Sequence, residues 1–144
     1  MATSVQVVFD CSDPDRLAKF WAAALHYKEQ DPPAGYATWG AFVKEQGVPE
    51  EEWIAASAIV DPDKVGPRIY FQQLDTPKPR KNRVHLDLNV SGGGKVSFEE
   101  RVKRVNGEVD RLLLLGATKH RVWEDSNEYW VVMQDPERNE FCVQ

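Results

Sequence analysis

The chain has 144 residues, 42% apolar and 28% charged, with 18 Lys and Arg against 23 Asp and Glu for a net charge of −5. That length suffices for one domain with a real core, and the acidic balance argues against a nucleic-acid partner. Apolar runs such as Leu112–Leu115 are too short to span a bilayer, so no membrane association is expected.

The N-terminus, MATSVQVVFD, has no basic segment followed by an apolar stretch, so no leader peptide and a cytoplasmic location are expected. Val5–Cys11 is β-rich and reads as a strand. Asp13-Pro14 then opens a helix, with Asp13 as N-cap and Pro14 at the first helical position. Leu17, Phe20, Trp21, Ala24 and Leu25 recur at three- and four-residue spacing and form its apolar face. A weak strand over Tyr27–Gln30 follows. Residues 31–56 read as an insertion carrying Tyr36, Trp39, Phe42 and Trp53, in which PEEEW can start a short helix. Strands are predicted near Ser57–Val60 and Arg68–Leu74.

Residues 76–82, TPKPRKN, read as a linker, and the basic cluster KPRKNR as a solvated segment. From residue 83, RVHLDLNV alternates apolar and polar, the pattern of a half-buried strand. SGGGK is a flexible break. Ser97 and Glu100 fit a capping box. Val102, Val105, Val109, Leu112 and Leu113 make a helical stripe that ends at Gly116. ATKHRVW, EYWVVMQ and NEFCVQ read as three strands, with EDSNE turning between the first two. His26 and His120 fall near element ends and are expected to face solvent. Cys11 and Cys142 lack C-x-x-C spacing and read as free thiols.

Each half is therefore β-α-β-β-β. The repeat also shows in two related phrases, DPDKVGPRIYFQQ at 61–73 and DPERNEFCVQ at 135–144. The expected class is α+β: one domain over 1–144, with module one at 1–75, the linker at 76–82 and module two at 83–144.

DCSDPDRLAKFWAAAL, NRVHLDLNV, LLLLGATKH and YWVVMQDPERNEFCVQ together resemble the vicinal oxygen chelate superfamily, also called the glyoxalase/bleomycin-resistance/dioxygenase fold, in its glyoxalase-like subgroup. The resemblance covers nearly the whole chain. It implies that each module curls its mixed sheet into half a barrel with helices outside, and that a ligand or metal sits inside. Metal-using members take one ligand from the first and one from the last strand of each module: His or Gln, Glu, His and Glu. Carried over, those positions fall on Gln6, Tyr70, His85 and Cys142, with Gln72 as the alternative to Tyr70 in a shifted register.

One imidazole, one amide, one phenol and one thiol make a poor set for a Lewis-acid ion. No cofactor is therefore expected, and a divalent metal is the less favoured option. Strand alternation adds Asp10 beside Gln6 and Asp87 beside His85. Trp39, Trp53, Trp123 and Trp130 are candidate walls of a small-molecule pocket. The favoured function is a binding protein for a small molecule of aromatic or antibiotic-like type, without a catalytic metal. The alternative is a metal-dependent lyase, isomerase or dioxygenase. For metal-free catalysis the candidates are His85 as base, Asp87 or Asp10 orienting it, and Tyr70 as acid or hydrogen-bond donor. A homodimer is expected, as is common for this architecture.

Overall fold

A computed structural model describes residues 2, 4–76, 78 and 80–144. The chain divides into two compact units, residues 1–77 and 78–144. Each has the βαβββ order that the repeat predicts, and the class is α+β.

The first unit holds β1 (Val7–Cys11), α1 (Pro14–Leu25), β2 (Lys28–Glu29), α2 (Trp39–Glu45), β3 (Ala56–Val60) and β4 (Ile69–Gln73). Its sheet runs β1-β4-β3-β2, with β1 parallel to β4 and the other pairs antiparallel. The Asp13 side chain accepts the Arg16 N–H at 3.0 Å, satisfying a donor that the helix itself leaves open. His26 closes α1 in the left-handed region, with φ of 58°. Leu17, Phe20 and Trp21 are buried with Ile59, Ile69 and Phe71. Phe9 packs 5.5 Å from both Trp21 and Phe71, ring centre to ring centre. Trp21 is thus core, as its helical spacing implies.

The insertion is ordered by its own aromatic residues. Thr38 caps α2 by accepting the Ala41 N–H. PEEEW supplies a 3₁₀ turn over Glu50–Glu52. Tyr36 and Trp39 both set their rings edge-on to Phe42.

The second unit holds β5 (Asp87–Leu88), α3 (Phe98–Leu114), β6 (Thr118–Glu124), β7 (Tyr129–Gln134) and β8 (Glu140–Val143). Its sheet runs β5-β8-β7-β6, again with one parallel pair, β5 with β8. Val105, Val109 and Leu112 of α3 are buried, as are Val131, Met133, Phe141 and Val143 of the sheet. Leu113 departs from the expected stripe and is 40% exposed. It lies about 100° around the helix from Leu112, off the face that Val105 and Val109 define. The capping box is half formed: Ser97 accepts the Glu100 N–H, but the Glu100 carboxylate takes Arg104 instead. At the other end Gly116, at φ of 108°, and Ala117 return N–H groups to Leu113 and Leu112. That paired closure needs a left-handed residue, which glycine supplies without strain.

The repeated phrases are matched turns. The Asp61 carboxylate accepts the N–H groups of Asp63, Val65 and Gly66, and the Asp135 carboxylate those of Glu137 and Asn139. Lys64 and Arg138 take the left-handed position in each.

Two boundaries differ from expectation. RVHLDLNV supplies only Asp87 and Leu88 to the ladder, although its pairing continues through Cys142 N–H to Leu86 C=O and Val90 N–H to Gln144 C=O. KPRKNR is not wholly a solvated linker. Lys78 lies 3.2 Å from the Glu140 carboxylate, and Asn82 exchanges backbone and side-chain hydrogen bonds with Glu140. The second unit therefore begins at Lys78, because Glu140 draws that segment onto β8.

Candidate functional site

In the second unit, alternation sorts each strand into a core face and an open face. Leu88, Phe141, Val143, Val131 and Met133 point to the core. His85, Asp87, Cys142, Gln144, Trp130 and Val132 line a groove of about 490 Å³ on the other face, joined by Lys81, Glu128 and Glu140. The parallel register sets Asp87 directly opposite Cys142.

His85 Nδ1 lies 2.8 Å from Asp87 Oδ1, and Cys142 Sγ lies 4.0 Å from the same nitrogen. The three ligand-type atoms fall within 4.8 Å of one another. The His85 and Asp87 side chains are 41% and 39% exposed, so this is an accessible cluster and not a buried polar pair. Burial pushes the Cys142 thiol up to about 11, with help from the Asp87 negative charge and hydrogen bond. At neutral pH Cys142 is therefore a thiol and a poor nucleophile.

Trp130 stacks on Trp123 at 5.4 Å with 17° between the rings. Arg121 covers Trp123 from 5.1 Å. Of the two rings only Trp130 lines the groove; Trp123 is 43% exposed beside it.

The first unit places its candidates differently. The register pairs Val8 with Tyr70 and Asp10 with Gln72. Tyr70 sits between buried Ile69 and Phe71, as Cys142 sits between Phe141 and Val143, so Tyr70 and not Gln72 is the counterpart of Cys142. Arg68 dominates this face. It donates to Gln6 Oε1 at 2.8 Å and to Gln30 Oε1 at 2.7 Å, and its guanidinium lies 5.2 Å from the Tyr70 ring centre. Asp10 and Gln72 are exposed. Trp53 donates its indole N–H to the Val48 carbonyl and packs on Gly40 within the insertion, while Trp39 donates to the Gln30 carbonyl and ties the insertion to the residue that follows β2.

The residues differ between modules in their fitness for a metal. In module one the oxygen of Gln6 that would meet an ion already accepts from a cation, and Tyr70 lies under the same cation. A second positive charge there is repelled. In module two an imidazole, a carboxylate and a thiol converge, a donor set that suits zinc in a three-ligand open site. Hard, six-coordinate ions prefer oxygen donors and fit it less well. The ligand pattern implied by resemblance omitted Asp87. Its signal was the i, i+2 spacing from His85, which puts both on one strand face.

Two units, each a mixed four-stranded sheet with a helix on one face, define a protein of the glyoxalase/bleomycin-resistance/dioxygenase architecture. The chain belongs to the glyoxalase-like domain family of the vicinal oxygen chelate superfamily, whose sequence model matches residues 6–144. No curated protein sequence matches the chain. Solved structures do. A point mutant of the fosfomycin resistance protein FosX from Listeria monocytogenes, complexed with Mn(II) and a dihydroxypropylphosphonic acid, is 11% identical, with a TM-score of 0.63 over 100% of this chain and 90% of that one. A glyoxalase/bleomycin resistance protein/dioxygenase family enzyme from Burkholderia phytofirmans PsJN is 17% identical, with a TM-score of 0.59 over 96% and 94% of the two chains. TioX from Micromonospora sp. ML1 is 12% identical, with a TM-score of 0.52 over 99% and 97%. At these identities the likeness shows the fold alone.

Proposed function

We propose that the protein binds a small, partly aromatic molecule on the open face of its second-module sheet, without needing a catalytic metal. The observation that carries this reading is the groove itself, where the Trp130 ring lies beside the polar cluster of His85, Asp87 and Cys142. A concave surface with one large aromatic ring and a few convergent polar groups is suited to orienting a flat ligand. The Arg68 contacts to Gln6 and Tyr70 support the metal-free part, because they commit the module-one positions to another cation. A thermal-shift screen of aromatic small molecules tests it, since a ligand that binds only the folded chain raises Tm. Hits should lose most of their effect on Trp130→Ala. Hits indifferent to that change sink the reading.

A second reading is a metal-dependent enzyme of the same superfamily. The observation favouring it is the convergence of His85, Asp87 and Cys142. Those three residues would hold the ion, which would supply Lewis-acid polarisation or an activated water. Should a reaction run without metal, His85 is the base and Asp87 orients its ring through Nδ1, leaving Nε2 for the substrate proton. FosX, with its Mn(II), is a relative in fold to which this second reading appeals. We place either activity in a homodimer.

A further inference from the structure

A second groove, of about 500 Å³, adjoins the first by sharing Glu128, Trp130 and Gln144. Arg101 of α3 and the Ser91–Gly93 turn also line it. Arg101 Nε is buried and has no hydrogen-bond partner among the described residues. Its guanidinium lies 5.4 Å from the Phe98 ring centre, and no described carboxylate pairs with it. A buried charged donor left unpaired is costly, so such a group calls for an acceptor. Glu128 lines the same groove but is not an ion-pair partner of Arg101, and three other neighbouring side chains are engaged elsewhere. Tyr129 Oη bonds Asn106, Gln144 donates to Asn89, and Arg104 pairs with Glu100.

The turn depends on glycine backbone conformations. Gly92 and Gly93 both have positive φ, 85° and 59°. Glycine takes these left-handed positions without strain, whereas a side chain at Gly92 would be strained and would also have to displace the Arg104 tip.

We propose that Arg101 supplies an oxyanion subsite beside the Ser91–Gly93 turn, so that the molecule held on this face carries a carboxylate; the turn shapes the groove, its Ser91 and Gly93 N–H groups being taken by Gln144 C=O and Ser91 Oγ. The guanidinium fork matches a planar two-oxygen anion. Glu128 lines both grooves, and its charge penalises a dianion, which favours carboxylate over phosphate. The inference rests on the reading that this face holds a small molecule, with Trp130 under the ring and Arg101 on the acid.

Sodium benzoate, benzamide and inorganic phosphate test it by ¹⁵N–¹H NMR on the full chain, read at the Arg101 Nε–H and Trp130 indole N–H signals. Benzoate should shift both signals saturably and bind about tenfold or more tighter than benzamide, the worth of one charge-assisted hydrogen bond. Arg101→Gln should erase that preference and Arg101→Lys should keep part of it. Phosphate should move the Arg101 signal more weakly than benzoate. Equal binding of benzoate and benzamide by the wild-type chain overturns the subsite while leaving the groove as a binding face. Phosphate binding tighter than benzoate overturns the carboxylate assignment. Silence of both signals with every probe overturns the subsite and the groove reading together. The wild-type comparison needs no variant, so a misfolded Arg101→Gln chain does not rescue the inference.

Discussion

Asp87 and Cys142 face each other across the parallel β5–β8 pair, and the carboxylate of one helps keep the thiol of the other protonated. The thiol is half-shielded by neighbours on the sheet, and its anion would form beside a negative charge. Both effects act in the same direction. Site-resolved alkylation should therefore proceed slowly at Cys142 at neutral pH and rise about tenfold per pH unit toward about 11. Asp87→Asn removes the charge and should speed alkylation at a given pH. An unchanged or slower rate in that variant contradicts the pairing.

Metal preference at the same cluster follows from ligand softness. Zn(II) should protect Cys142 from alkylation, and Mn(II) at equal concentration should not, because a thiolate and an imidazole favour the softer ion. Asp87→Asn should weaken the protection. Equal protection by both ions, or by neither, removes the trio from consideration as a metal site.

Glu140 holds the entry to the second unit. Burial pushes its carboxyl up, but the Asn82 N–H, its own backbone N–H and Lys78 outweigh that and leave it below the ordinary range. The folded value lies below the unfolded one, so the stabilisation is present above the unfolded pKa, about 4.5 or less, and fades as pH falls through the folded value. Glu140→Gln should cost about 1–3 kcal/mol at neutral pH, the range for breaking a buried charge-assisted hydrogen bond. Its denaturation midpoint should also be flatter in acid than that of the wild type. A variant with the same acid slope as the wild type rules out this role.

Trp130→Ala should act twice. It removes the stack on Trp123, worth about 0.5–1.5 kcal/mol beyond area, and it removes the aromatic wall of the groove. Trp123→Phe keeps a ring against Trp130 and should spare binding. Comparing the two variants by urea melts and ligand titration separates a wall from a prop; similar binding losses in both contradict the assignment.

Light scattering should give twice the chain mass for the purified protein at micromolar concentration. β6 lies at the edge of its sheet with every residue exposed, and such an edge offers unpaired backbone groups to a second chain. A monomer mass across the concentration range excludes the dimer.

Local chemistry along the chain was enough to specify the two βαβββ units. Asp13, Ser97 and Gly116 mark helix ends through hydrogen bonds to groups a few residues away, and periodic apolar residues mark the core faces. Even the strand-face grouping of His85 with Asp87 follows from a two-residue repeat. What depended on the tertiary structure was which partners cross long sequence distances. Arg68 reaches Gln6 over 62 positions, Cys142 meets His85 over 57, and Glu140 recruits Asn82 over 58. Parallel strand pairing brings such residues together through a crossover, and no local propensity encodes which side chains then touch. That is why the approach of Cys142 to the His85–Asp87 pair and the cation on Gln6 emerged only from the folded chain.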